Sequence, residues 1–100
     1  MKDSIKEELE LYIQDLKDQN ILNEENKEDW HHLAFNEDYY IIGYYNADKW
    51  LEKHELNAFD AIDQVLEYEI AHFGEITTDV NSEAVVNMLA YIYGEELINN

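Results

Sequence analysis

The 100-residue chain has no cysteine, no proline and no arginine, and only three glycines. Without cysteine it has no disulfide framework, no thiol nucleophile and no thiolate zinc site. Tight turns draw on proline and glycine, so a fold built from many turns is disfavoured and helices are expected. No apolar run approaches the roughly 18 residues that a membrane span needs. The opening MKDSIKEELEL lacks the apolar stretch of a signal peptide, so a cytoplasmic protein is expected. Cations are the other scarcity. Six lysines face 24 acids, for a formal charge of −18. After Lys53 no Lys or Arg follows, while ten acids run from Glu55 to Glu96. Such a surface repels phosphate, which argues against direct binding to nucleic acid or to an anionic membrane.

What the chain does have is apolar bulk. Hydrophobic residues make up 46% and aromatics 13%, too much for a disordered chain despite the charge. The length suits one domain with a single core. The densest apolar stretch is 36–54, NEDYYIIGYYNADKWLEKH. Asn36 stands as a cap, and Phe35 and Tyr40 stand where a hydrophobic staple would. Tyr40, Tyr44, Ala47 and Leu51 recur at helical spacing, which predicts a central helix over 36–54. The rival reading is a short strand at 39–45, because Tyr and Ile favour strands and Gly43 is a poor helix residue.

Around that stretch the expected class is all-α, a single domain of four or five helices, with α+β as the alternative if 39–45 is a strand. A first helix, capped by Asp3 or Ser4 and running to Asp18, presents Ile5, Leu9, Tyr12, Ile13 and Leu16 on one face. Residues 1–20 read as an amphipathic helix beside a helical core at 30–98, with two alternatives open: docked on that core, or peripheral to it. A polar connection at 19–28 has Ile21 and Leu22 as its anchor. Trp30, Leu33 and Phe35 are expected to point to the core from one or two helical turns. Asn57 should cap a helix to Phe73, with Phe59, Ile62, Leu66, Ile70 and Phe73 as its buried face and Gly74 ending it. Residues 75–80 read as an extended link. Asn81 or Ser82 should cap a last helix whose stripe is Val85, Met88, Leu89 and Ile92, interrupted near its end by Gly94.

No pattern carries chemistry. His31 and His32 are adjacent and so point about 100° apart on a helix, unlike the i, i+4 pair of zinc sites. His54 and His72 stand alone, and all four read as surface or half-buried side chains. Ser4 and Ser82 read as caps rather than nucleophiles. Gly43, Gly74 and Gly94 are isolated, so no phosphate-cradling loop exists. No catalytic residue, metal site or cofactor is assigned, and an enzyme is not expected. Asp60, Asp63 and Glu67, at i, i+3 and i+7, make one acidic face, with Glu55 just before it. Tyr39 and Tyr45 are candidates for an interface where they face outward, since tyrosine anchors protein contacts.

The segments FNEDYYIIGYYNADKWLEKH, HFGEITTDVNSE and VVNMLAYIYGEEL resemble small acidic proteins of unassigned function from T4-like tailed phages that infect cyanobacteria. The resemblance spans about Trp30 to Ile98 and leaves out the first helix. It implies a context, a phage accessory protein in a host cytoplasm, and brings no functional residues. With the charge, the reading is a non-enzymatic interaction protein that modulates a host protein, in its sharper form as a nucleic-acid mimic on a nucleic-acid-binding partner. Its candidate surface is Glu55, Asp60, Asp63, Glu67, Tyr39 and Tyr45. The second reading is a homo-oligomer or structural component of a phage assembly.

Overall fold

A computed structural model describes residues 3–35, 46–79 and 81–99. The fold is all-α, and among the described residues there is no strand. Helix α1 spans Asp3–Asp18 and α2 spans Trp30–Ala34, with a 3-10 segment, Glu24–Asp29, between them. Helices α3 (Ala47–Lys53), α4 (Ala58–Phe73) and α5 (Ser82–Asn99) are the other helices among the described residues. None is long and apolar enough to cross a membrane.

The organising element is α5, on which every other described α-helix packs. It buries Val85, Val86, Leu89, Ala90, Tyr93 and Gly94, with Met88 and Ile92 partly covered. At about 100° per residue those positions cover an arc of about 240°, wider than one stripe, as expected of a helix with neighbours on several sides. Among the described residues the centre is therefore α5, whereas the expected central stretch, 36–54, is described only from Asn46 onward. That stretch is also not one helix: Asn46 is extended (φ −65°, ψ 135°), and its side chain accepts from the backbone N–H groups of Asp48 and Lys49. A helix therefore starts afresh at Ala47, while the rival strand at 39–45 lies outside the described residues. Gly94 does not interrupt α5 either; the helix runs through it, and its missing Cβ leaves room for the Phe35 ring.

Helix α1 places Ile5, Leu9, Ile13 and Leu16 in the common core, so it is integral and not peripheral. It closes with Asn20 in the left-handed region (φ 61°), and Asn20 and Ile21 donate back to the carbonyls of Lys17 and Leu16. That reversal turns Leu22 inward, while Ile21 stays exposed. Asn23 and Asn26 then form a reciprocal capping box, and the Trp30 indole N–H donates to the Asn23 carbonyl and to Asn26 Oδ1, both at 2.9 Å. Trp30, Ala34 and Phe35 are buried. Leu33, expected in the core, is exposed, because its place on the short helix α2 goes to Ala34. The predicted stops of the second half hold: Asn57 accepts from the Phe59 N–H, Gly74 ends α4 at φ 75°, and Asn81, not Ser82, caps α5 through the Ala84 N–H.

Candidate functional site

Helix α4 carries most of the residues singled out from sequence, and its orientation decides what they can do. At about 100° per residue, its residues divide into successive arcs. Ala61, Val65 and Glu69 are the buried positions. Phe73, Leu66, Phe59 and Ile70 fall in the next arc, and Asp63, Glu67 and Asp60 in the one after that. The expected buried face is thus largely outside: Phe59 is 77% exposed, Ile70 56% and Phe73 52%, with only Ile62 and Leu66 partly covered. The reason is steric. Alanine and valine allow α4 to lie close against α5, whereas a face of Phe and Ile would hold it further off.

Asp60, Asp63 and Glu67 share one exposed face of α4, as their spacing requires. Over seven residues the three carboxylates span about 10 Å of helix axis. Glu55 is exposed in the turn joining α3 to α4, at φ 51°, where the N–H groups of Glu55 and Leu56 donate to the carbonyls of Glu52 and Leu51. Tyr39 and Tyr45 lie outside the described residues. Three of the lysines are engaged elsewhere. Lys17 and Lys27 sit over the Trp30 ring, 4.9 and 5.8 Å from its centroid, and Lys53 bonds Glu8 at 2.6 Å.

On the inner side of α4, Glu69 is fully buried. Its carboxylate accepts from the Thr77 N–H and hydroxyl, both at 2.6 Å, and from the Thr78 N–H at 3.2 Å. Burial pushes its pKa up, but these hydrogen bonds outweigh burial and hold it below the usual carboxylate value. Glu69 thus fastens the 74–79 connection to the helix it has just left. Beside that latch is a cleft of about 630 Å³, lined by Phe35, Phe73, Thr77, Thr78, Met88 and Tyr91 among others. Phe73 belongs both to the cleft and to the exposed apolar arc. Tyr68 donates to Glu95 at 2.7 Å; burial, then that bond, push its phenol pKa up, so it remains a neutral donor joining α4 to α5.

A second polar cluster joins α1 to α3. Glu8 accepts from the Trp50 indole N–H and from Lys53, both at 2.6 Å, and lies 3.4 Å from His54 Nε2. His54 Nδ1 is 2.9 Å from Ser4 Oγ. A serine within reach of an imidazole is an arrangement used for nucleophilic catalysis. Here, however, both Glu8 oxygens are engaged by Trp50 and Lys53, and the set acts as a clamp between helices. His54 is buried, which the sequence did not indicate; His31, half-buried, lies 2.9 Å from the Tyr91 carbonyl. Among the described residues no three His, Asp or Glu are gathered to hold a metal.

Sequence reasoning thus placed the acidic face and missed the apolar arc beside it. The signal is in the sequence: α4 carries small Ala61 and Val65 on one arc and large apolar side chains on the next, and hydrophobicity alone favours the larger as the core. The chain matches no protein-family profile, no curated protein and no solved structure.

Proposed function

We propose that this is a non-enzymatic acidic interaction protein that docks on the basic surface of another protein. One observation carries the reading: Asp60, Asp63 and Glu67 stand together on an exposed face of a helix in the stretch after Lys53, which has no Lys or Arg. Three carboxylates over about 10 Å present roughly one charge per 5 Å, of the same order as one strand of a duplex, at one phosphate per about 3.4 Å. In its sharper form, the partner is a nucleic-acid-binding protein whose basic groove accepts this face in place of nucleic acid. In the setting that the resemblance implies, it is a host protein and this chain a phage accessory factor in the host cytoplasm.

The test is affinity capture from lysate with stepwise salt elution, run in parallel with wild type and the D60N/D63N/E67Q variant. The expected result is a basic partner that leaves the wild type at moderate salt, is displaced by added DNA or RNA, and is lost with the variant. Equal capture by both proteins would overturn the reading. The second reading, a homo-oligomer or assembly subunit, draws on the exposed Phe59, Ile70 and Phe73. It predicts a defined dimer or larger state that weakens at low salt, where repulsion between copies of charge −18 is least screened.

A further inference from the structure

We infer that the apolar arc of α4 and the cleft at its end form a docking groove for a cationic amphipathic helix of the partner protein. The inference rests on the reading just given and specifies the partner's chemistry. Phe59, Ile70 and Phe73 are each more than half exposed and share one arc of the helix, and Ile76, 52% exposed, follows in the connection. Solvent-exposed large apolar side chains scattered singly are ordinary, whereas several aligned on one helix face mark a contact surface. From Phe59 to Phe73 the arc runs about 21 Å, the length of roughly four helical turns. At Phe73 it opens into the 630 Å³ cleft, where Phe35, Met88 and Tyr91 add further apolar wall. Apolar anchors on a partner helix fit such a track, as in other helix-in-groove complexes.

Charge decides which occupant fits. The outer border of the arc is Asp60, Asp63 and Glu67, and Glu75 and Asp79 flank its far end. No Lys or Arg occurs after Lys53, so nothing in α4 or α5 offsets these carboxylates by an ordinary cation. A second copy would bring another −18 to the same place. An anionic lipid surface is repelled for the same reason. A helix with Leu or Ile on one side and Lys or Arg along its edge satisfies both halves: its apolar side covers Phe59, Ile70 and Phe73, and its cations meet the acidic border. The apolar half gives residence, and the charges give approach rate and orientation.

Two probes separate this inference from the broader reading. One is a designed Leu/Lys peptide of roughly four helical turns; the other is a lysine homopolymer of equal charge. Binding to the full chain is followed by fluorescence anisotropy at about 0.05 M and about 0.5 M salt. The Leu/Lys peptide should bind more tightly than the homopolymer and retain measurable affinity at the higher salt. The F59S/I70S variant should lose about tenfold in affinity for that peptide and little for the homopolymer. The D60N/D63N/E67Q variant should weaken both probes at low salt, with the difference shrinking as salt rises. Both side-chain sets are exposed, and circular dichroism checks that each variant is folded. If both probes bind alike and F59S/I70S changes neither, the groove is refuted while the acidic interaction surface stands. If neither binds, both readings fail. A dimer in sedimentation that F59S/I70S dissolves, or co-sedimentation with neutral phosphatidylcholine vesicles, would give the arc to another occupant and overturn the inference.

Discussion

Replacing Val65 and Phe59 by alanine, one at a time, tests the orientation of α4 on which the site depends. Val65 is 1% exposed against α5, while Phe59 is 77% exposed. Val65→Ala removes two buried methyl groups, about 1.6 kcal/mol at roughly 0.8 kcal/mol each. The cavity left behind adds up to about 1 kcal/mol, and alanine's better helix propensity returns roughly 0.5 kcal/mol. The net loss is about 2 kcal/mol, which lowers Tm by roughly 8–16 °C in a domain of this size. Phe59→Ala removes the larger side chain, which in a core would cost about 3–5 kcal/mol. With only about a quarter of it covered, the loss is under about 1 kcal/mol, and the propensity gain brings it close to zero. Urea unfolding followed by circular dichroism gives both values. The sequence pattern alone ranks the two substitutions the other way. A Phe59→Ala cost equal to or above that of Val65→Ala would refute the orientation, and with it the exposed arc and the docking groove.

Two further outcomes check the packing. Because Glu69 has a folded pKa below its usual 4.5, its contribution to stability is complete above that value and is lost as pH falls through the lower folded value. Glu69→Gln should therefore cost roughly 1–3 kcal/mol near neutrality, with the difference from wild type narrowing in urea titrations taken progressively below pH 4.5. Gly94→Ala pushes a methyl group into the Phe35 ring. Overpacking of about 1–3 kcal/mol exceeds the roughly 1 kcal/mol that alanine gains in a helix, so Tm should fall, and Phe35→Leu in the same chain should recover part of the loss.

Legibility differed from element to element for physical reasons. The caps Asn57 and Asn81 and the stop at Gly74 were readable because capping depends on neighbouring backbone groups and on little else. Ile5, Leu9, Ile13 and Leu16 were readable because α1 has one apolar face and no competitor for it. Helix α4 misled because two of its arcs are apolar, and hydrophobicity favours the arc of larger residues. The restart at Asn46 was hidden inside a run of helix-compatible spacing, where one side chain accepting two N–H groups outweighs the periodicity. Of the candidate surface, Asp60, Asp63 and Glu67 follow from spacing alone, since any three charges at i, i+3 and i+7 share a helix face.

By itself, the sequence determined the helical class, the starts at Asn57 and Asn81, the stop at Gly74, the charge of −18 and the acidic face of α4, because each depends on composition or on contacts within a few residues. Tertiary structure alone decided that α5 is the hub, that Gly94 receives Phe35, that Glu69 is buried against Thr77 and Thr78, and that Phe59, Ile70 and Phe73 are left outside. Those outcomes depend on how closely two helices can approach. That distance is set by the side chains on both surfaces together, and periodicity along one strip of sequence does not contain it.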